Sequence, residues 1–275
     1  MEDQNQLEWS CNMATIIARA AESVHWYRAD DGAPQYTVKA KDGSDRPTTL
    51  RDARKMNLVP SVTTIMKVAA KPGLEVWKNE QMLMAALTLP RKPDESEKDF
   101  IARIVADSKE TAKQAAERGT RIHESIESWF EGKRPVDHPE IAEGVENALS
   151  IHFGDMSKKI WITERAFASP FGFGGKVDLY CEKNQVNPDG VVVDAKTKEF
   201  GPDDEIIGYD EHLMQLAAYR VGLGLPQARC ANAFASVNHA GLVKVIEWSE
   251  EDLQRGWEMF QHLLAYWKIK NKFGE

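Results

Sequence analysis

The sequence predicts an α/β protein whose central mixed β-sheet is flanked by helices. From residue 95 onward the predicted elements follow in the order helices, three strands, helix, two strands, helix, which is typical of a layered α/β fold. The spacing of apolar residues changes between these elements, from three- and four-residue steps to short alternating or continuous runs. The chain has 275 residues, 42% of them hydrophobic and 28% charged, and this is enough to bury a full core.

The first 59 residues are predicted to form an N-terminal extension, and residues 60–275 are predicted to form one domain. In the extension, the apolar stretch Met13–Ala20 has helical spacing. Two alternating runs, His25–Arg28 and Gln35–Lys39, are separated by a sequence of Asp, Gly and Pro that is typical of a turn. These two runs are predicted to pair as a β-hairpin.

Each helix of the domain is predicted from its apolar spacing and from the residues at its ends. Ser61 is placed to cap a short helix. Ser249 is placed to cap the last helix, with Glu251 and Asp252 in its first turn, where the helix dipole favours negative charge. The longer helices are predicted at Leu74–Leu87, Glu95–Phe130, Pro139–Phe153, Glu211–Gly222 and Glu250–Lys270.

Five short segments have the length and composition of strands. The first three follow one another across turn-forming residues and are predicted to form a meander. The other two lie between the last two helices. The predicted strands are Lys159–Ala168, Gly175–Cys181, Val191–Lys196, Arg229–Val237 and Leu242–Trp248.

Composition and charge exclude several classes of protein. Cys11, Cys181 and Cys230 are far apart without CxxC spacing, so neither a disulfide framework nor an iron–sulfur cluster is expected. The acidic N-terminus does not resemble a signal peptide, and no apolar run has the length of a membrane span. We therefore expect a cytoplasmic protein without a membrane partner. The net charge of −8 argues against indiscriminate coating of nucleic acid but allows a local basic groove.

Two neighbouring strands carry the residues that most clearly suggest chemistry. Asp194 and Lys196 are two residues apart in one strand, so their side chains leave the same face. Asp178 lies late in the preceding strand, where it can approach Asp194. Two close carboxylates repel each other unless a cation lies between them, and their hard oxygens favour Mg²⁺ or Mn²⁺. The alternative is an ordinary Asp–Lys pair at a strand end beside an unrelated aspartate.

Two helices add polar residues that are less informative when each is considered alone. Gly119 lies inside the long helix, where glycine is unfavourable, and His123 follows one turn later on the same face. Gln215 and Tyr219 are likewise one turn apart on a later helix. A single helical histidine is more often a core or surface residue than a metal ligand. Gln215 and Tyr219 could equally lie on a face directed toward solvent.

In this order, the segments GTRIH, GGKVDLY, VVVDAKT and QLAAY resemble the PD-(D/E)XK nuclease superfamily, specifically its RecB-like exonuclease branch. PSVTTIM, the later Leu74 and Trp77, and YDEHLMQLAAY are similar to the mitochondrial genome maintenance exonuclease and to related phage and bacterial exonucleases. The matching stretches extend from Pro60 to Tyr219. The resemblance implies a restriction-endonuclease-like core.

The resemblance also implies a role for each residue of the motifs. Asp178 and Asp194 match the two acidic metal ligands, and Lys196 matches the catalytic lysine. One or two Mg²⁺ or Mn²⁺ ions would be held by these aspartates with His123 and the carbonyl of Ala195. The family's QxxxY motif, which lies beside the site and the DNA end, is matched by Gln215 and Tyr219. The four-cysteine iron–sulfur site of some relatives is absent from this sequence.

The implied partner is DNA, as single strands or free ends. Several basic residues and one threonine near the motifs are expected to contact phosphates, although solubility alone could explain the charges. The predicted DNA contacts are Lys176, Thr197, Lys198, Arg220 and Arg121, and the wider basic rim also includes Lys158, Lys159 and Lys183.

The expected function is therefore a metal-dependent DNA exonuclease in replication, recombination, repair or phage DNA processing, in a bacterial or phage-infected cell. One alternative is a structure-specific endonuclease on the same fold. A second is a DNA-binding protein that has lost catalysis, which the joint presence of Asp178, Asp194 and Lys196 argues against. A third is an α/β protein unrelated to nucleases, which predicts no dependence on divalent cations.

Overall fold

The structure is a computed structural model that describes residues 25–154 and 160–274. The predicted helix at Met13–Ala20, Cys11 and the lysines Lys158 and Lys159 lie outside these residues. None of the helices in the described ranges is both long and apolar enough to cross a membrane.

Two small antiparallel pairs precede the larger helices. The elements are β1 (Trp26–Arg28), β2 (Thr37–Lys39), β3 (Asp45–Pro47), α1 (Leu50–Lys55) and β4 (Leu58–Pro60). β1 pairs with β4, and β2 pairs with β3. The pairing of β1 with β4 brings the start of the described chain against the segment that leads into the domain.

The predicted hairpin between His25–Arg28 and Gln35–Lys39 is confirmed only at its closed end, where the N–H of Gln35 donates to the carbonyl of Trp26 and the N–H of Arg28 to the carbonyl of Ala33, each at 2.8 Å. Between these runs the structure has an isolated bridge from Tyr27 to Pro34. The pairing does not extend further, because Thr37–Lys39 pairs with β3. β1 also pairs with β4 on its other side, and the side chain of Trp26 is 1% exposed in the core.

The predicted helices between the small pairs and the sheet are confirmed close to their expected bounds. They are α2 (Val62–Met66), α3 (Pro72–Thr88), α4 (Glu97–Phe130) and α5 (Pro139–Phe153). Ser61 caps α2 as predicted, because its Oγ accepts a hydrogen bond from the N–H of Thr64 at 3.0 Å. Ser96 caps the long helix α4 in the same way through the N–H of Asp99.

The predicted mixed sheet is confirmed and lies at the centre of the fold. Its strands and the helices that follow them are β5 (Ile162–Ser169), β6 (Phe173–Cys181), β7 (Val191–Lys198), α6 (Asp210–Gly222), β8 (Arg229–Ser236), β9 (Val243–Trp248) and α7 (Glu250–Asn271). The strand order is β5-β6-β7-β8-β9, and β7 and β8 are parallel while the other neighbours are antiparallel. The first three strands form the predicted meander, and α6 connects the parallel pair, as a parallel connection requires.

Helices cover both faces of the sheet. On the face we call the α6 face, α2, α6 and α7 bury residues such as Leu213 and Phe260 with Val192 of β7. On the opposite α4 face, the end of α4 and α5 bury Ile122 and Val145 with Val193. Because successive β7 side chains alternate between these faces, its first half is apolar throughout.

The described part of the predicted extension packs on the domain. Trp26 of β1 lies 6.1 Å from Trp267 of α7, measured between ring centroids. Ser61, just after β4, forms a parallel bridge with Gly174 of β6. The division of the chain at residue 60 stays a prediction.

Candidate active site

The two motif strands separate where the aspartates are located. β6 and β7 pair from Cys181↔Val191 to Leu179↔Val193, and the next pair in this register would be Asp178 with Asp194. Instead of continuing the ladder, Asp178 Oδ2 accepts a hydrogen bond from the N–H of Ala195 at 2.8 Å. The strands therefore open into a fork with one carboxylate on each arm.

Asp194 is 2% exposed and lies on the arm formed by β7. Its Oδ2 is 2.5 Å from Lys196 Nζ and accepts a hydrogen bond from Asn232 Nδ2 at 2.9 Å. Burial is the main reason that the pKa of Asp194 is raised, because the charged carboxylate loses hydration. Burial also acts to lower the pKa of Lys196, but the charges of Asp194 and Asp178 outweigh it and raise that pKa.

His123 reaches the other arm from α4. Its Nδ1 is 3.5 Å from Asp178 Oδ1. Burial acts to lower the pKa of His123, but the contact with Asp178 and the charge of Asp194 outweigh it, so this pKa is raised. A methyl group at Gly119, one turn earlier, would be 3.4 Å from Thr197 Oγ1. The helix thus passes close to the end of β7, which brings the imidazole to the fork.

Gln215 and Tyr219 are buried against the sheet on α6. Gln215 Oε1 accepts a hydrogen bond from Lys196 Nζ at 3.2 Å, and Gln215 Nε2 donates one to the hydroxyl of Tyr219 at 2.8 Å. Burial raises the pKa of Tyr219 well above its ordinary value, so its hydroxyl stays protonated. The alternative that these residues lie on a solvent-facing helix surface is excluded. Gln215 and Tyr219 continue a series of hydrogen bonds that starts at Lys196 and runs along the α6 face.

Three of the five predicted DNA contacts line one cleft. Arg121, Thr197 and Lys198 are part of the wall of a cleft of about 810 Å³ between α3, α4 and the end of β7, together with Trp77 and Arg118. Arg118 pairs with Glu199 on the opposite wall at 3.2 Å. The cleft is on the α4 face of the sheet. Two of its lining residues, Thr197 and Lys198, directly follow Lys196 in the sequence.

The other two predicted DNA contacts lie elsewhere. Lys176 pairs with Glu164 of β5, beside the fork and away from the cleft. Arg220 is 2% exposed, and its guanidinium forms two hydrogen bonds to Glu250, of 2.7 and 2.9 Å. The predicted contact between Arg220 and DNA was wrong, because this side chain connects α6 to α7 inside the protein.

Motif reasoning missed Asn232 and Trp248. Asn232 lies beside Asp194 in the parallel pair of β7 and β8, and its Oδ1 accepts a hydrogen bond from Trp248 Nε1 at 2.8 Å. A signal was present, since Asn232 is a polar residue within the apolar strand RCANAFAS. A buried amide needs partners, but only the fold identifies them.

The donor atoms at the fork suit a hard divalent cation. Asp178 and Asp194 supply carboxylate oxygens, and no described residue donates a hydrogen bond to Oδ1 of Asp194. A carboxylate oxygen without a hydrogen-bond donor is a suitable ligand for Mg²⁺ or Mn²⁺. Within residues 25–154 and 160–274, no three His, Cys, Asp or Glu side chains are grouped closely enough to form a complete metal site. Asp194 has the ammonium group of Lys196 as its nearest charged neighbour.

Comparison with known proteins gives distant structural likenesses. No family model and no curated protein sequence matches the chain. The crystal structure of SSO0001 is similar over 69% of this chain and 86% of its own, with 14% identity and a TM-score of 0.25. The "Putative exonuclease" of Eubacterium rectale is similar over 57% of this chain and 69% of its own, with 16% identity and a TM-score of 0.33. These TM-scores are too low to establish a shared fold or activity.

Proposed function

We propose that this protein is a metal-dependent DNA exonuclease of the PD-(D/E)XK type. The observation that carries the proposal is the fork, where Asp178 and Asp194 lie on separated arms and Lys196 contacts Asp194 at 2.5 Å. A structural Asp–Lys pair would not require a second carboxylate or a histidine. Here both are present, since His123 and Asp178 lie within 3.5 Å of each other.

Each residue of the fork has a distinct part in phosphodiester hydrolysis. Asp178, Asp194, His123 and the carbonyl of Ala195 would hold one or two Mg²⁺ or Mn²⁺ ions. Such an ion polarises a phosphoryl oxygen and lowers the pKa of a bound water. Lys196 Nζ, held by Asp194 and Gln215, orients the attacking water and offsets negative charge on the reacting phosphate.

The cleft between α3, α4 and β7 supports a single strand as the substrate. Its volume of about 810 Å³ accommodates a few nucleotides of one strand. Arg121 and Lys198 supply positive charge for phosphates, and the half-buried ring of Trp77 offers a surface on which a base can stack. Thr197, in the same wall, lies against Gly119 of α4, and His123 on the next turn of this helix contacts Asp178, so a strand in the cleft passes along the His123 side of the fork.

Replacing Lys198 with alanine is expected to weaken the binding of single-stranded DNA and to reduce its dependence on salt. One lost phosphate contact lowers the slope of log K against log salt concentration by about 0.7. The measurement is fluorescence anisotropy with a labelled oligonucleotide in EDTA, which separates binding from cleavage. Lys270→Ala on α7 removes the same charge outside the cleft and should leave the slope unchanged. Equal slopes for the wild type and Lys198→Ala would exclude this path.

The proposed activity is tested by digestion of end-labelled linear single-stranded, linear double-stranded and circular single-stranded DNA with Mg²⁺, Mn²⁺ or EDTA. We expect degradation of linear single strands with either cation and none in EDTA. Circular DNA has no end, so its cleavage would indicate an endonuclease on the same fold. Binding without cleavage under every condition would indicate a DNA-binding protein and would contradict the proposal.

A further inference from the structure

We propose that Asn232 is a positioning residue for the catalytic carboxylate of Asp194, and that Trp248 determines the orientation of its amide. This inference rests on the proposed nuclease function and concerns residues outside the motifs. Asn232 is fully buried and has no contact with the cleft that we assign to DNA. Its side chain contacts Asp194 and Trp248, and of these two residues Asp194 is the one at the fork, so an effect on catalysis is expected to pass through Asp194.

The backbone already places the two residues together. Asp194 and Asn232 are partners in the register of the parallel strands β7 and β8, and both side chains lie on the α6 face. Asn232 Nδ2 donates to Asp194 Oδ2 at 2.9 Å and is 3.4 Å from the carbonyl of the same residue. The amide therefore binds both the side chain and the backbone of Asp194.

Trp248 decides which end of the amide faces the carboxylate. The indole N–H can only donate, and it donates to Asn232 Oδ1 at 2.8 Å. Nδ2 must then point toward Asp194, because a flipped amide would place two acceptors together at one end and two donors at the other. The indole ring packs closely against the backbone of Gly208, because a methyl group at Gly208 would lie 2.6 Å from the indole Cζ2. This packing limits movement of the ring.

As a consequence, one oxygen of the Asp194 carboxylate is held by neighbouring side chains and the other is not. Asn232 and Lys196 both contact Oδ2 of Asp194, whereas no hydrogen bond from the described residues reaches Oδ1. Asn232 stabilises the buried carboxylate without adding a charge that would compete with a cation. Outer partners of this kind orient the groups that bind a metal and tune their affinity for it.

The test compares Asn232→Leu and Trp248→Phe with the wild type, using calorimetric titration of the protein with Mn²⁺ alone. Leucine keeps the branched shape of the side chain, with a larger volume, but removes the donor, so Mn²⁺ affinity is expected to fall by roughly 10–100-fold. Trp248→Phe removes the N–H that orients the amide, together with part of the ring, but leaves the amide itself in place, so a smaller fall in the same direction is expected. With linear single-stranded DNA, kcat should fall in both variants while KM stays unchanged, because neither residue lines the cleft.

Ser236→Ala is the matched control. Ser236 is also buried on β8, donates a hydrogen bond to the carbonyl of Phe200 at 2.6 Å, and lies four residues beyond Asn232. It should lower the midpoint of urea unfolding without changing Mn²⁺ affinity. If Ser236→Ala lowers Mn²⁺ affinity as much as Asn232→Leu does, the effect is general destabilisation and the positioning role is wrong.

The two proposals fail in different ways. A wild-type protein that neither binds Mn²⁺ nor cleaves DNA contradicts the nuclease function itself. A wild type that does both, with unchanged Mn²⁺ affinity and kcat in Asn232→Leu, contradicts only the role of Asn232. If Asn232→Leu does not fold, Trp248→Phe decides, and wild-type Mn²⁺ affinity in that variant overturns the inference.

Discussion

Replacing Lys196 with alanine is expected to slow cleavage by roughly 10²–10³-fold while leaving DNA binding nearly unchanged. The ammonium group of Lys196 lies 2.5 Å from Asp194 Oδ2 and donates a hydrogen bond to Gln215 Oε1 at 3.2 Å. Removing a preorganised group that stabilises charge in the transition state costs roughly 10²–10³-fold in rate. The measurement is single-turnover cleavage of an end-labelled single strand with Mg²⁺. Cleavage at the wild-type rate would exclude the assigned mechanism.

The same substitution is expected to destabilise the fold. Without Lys196, the buried carboxylate of Asp194 keeps Asn232 but loses its charged partner. Breaking a buried pair on one side costs about 3–5 kcal/mol, and the low end applies here because Lys196 is 26% exposed. Urea unfolding measures this loss.

A double variant separates stability from catalysis. Asp194→Asn combined with Lys196→Ala removes the unpaired buried charge, so it should recover most of the lost free energy of unfolding. It should cleave no faster than Lys196→Ala, because both catalytic groups are gone. If the double variant is less stable than Lys196→Ala, then the ion pair is not the source of the destabilisation. Lys270→Ala, far along the chain on α7, is the control for loss of a lysine.

Asp178→Asn is expected to eliminate cleavage with little change in fold. The asparagine carbonyl can still accept the hydrogen bond that the N–H of Ala195 donates at 2.8 Å, so the fork keeps its shape. What is lost is one negative charge among the proposed metal ligands. We expect Mn²⁺ affinity to fall and the cleavage rate to drop by at least roughly 10²-fold.

The contact between His123 and Asp178 can be checked in the Asp178→Asn variant by a measurement that needs neither metal nor DNA. The contact with Asp178 is the largest of the influences that raise the pKa of His123. In Asp178→Asn this pKa should fall, because burial, which acts to lower it, is then opposed less. Titration of the imidazole by NMR in EDTA measures the change. An unchanged pKa would mean that His123 and Asp178 are not neighbours in solution.

Local sequence determined most of the secondary structure. Helix α5 has its predicted bounds, and Ser61 and Ser249 cap the helices that they were expected to cap. The meander β5–β7 also follows from short apolar runs and the turns between them. Periodicity, caps and turns depend on residues within a few positions of one another, so a sequence read in short windows contains the information.

The candidate site was predictable only in part. The strand pattern already pointed to Asp178, Asp194 and Lys196, with Asp194 and Lys196 on one face, and the resemblance to a nuclease motif added their roles. The fork did not follow, because the place where β6 and β7 separate depends on the hydrogen bond between Asp178 and Ala195. Arg220 was misassigned for a similar reason, since its partner Glu250 lies at the start of another helix.

What the sequence alone determined, then, is the identity and order of the elements and the residue types available for chemistry. Tertiary structure alone decided which distant segments pair, since β4, which lies some thirty residues after β1, forms the ladder with β1. It also decided that Asn232 contacts Asp194 and that Trp248 contacts Asn232. The physical reason is that such contacts join residues far apart in the chain, and their free energy comes from burial and hydrogen bonding that exist only once the core has formed.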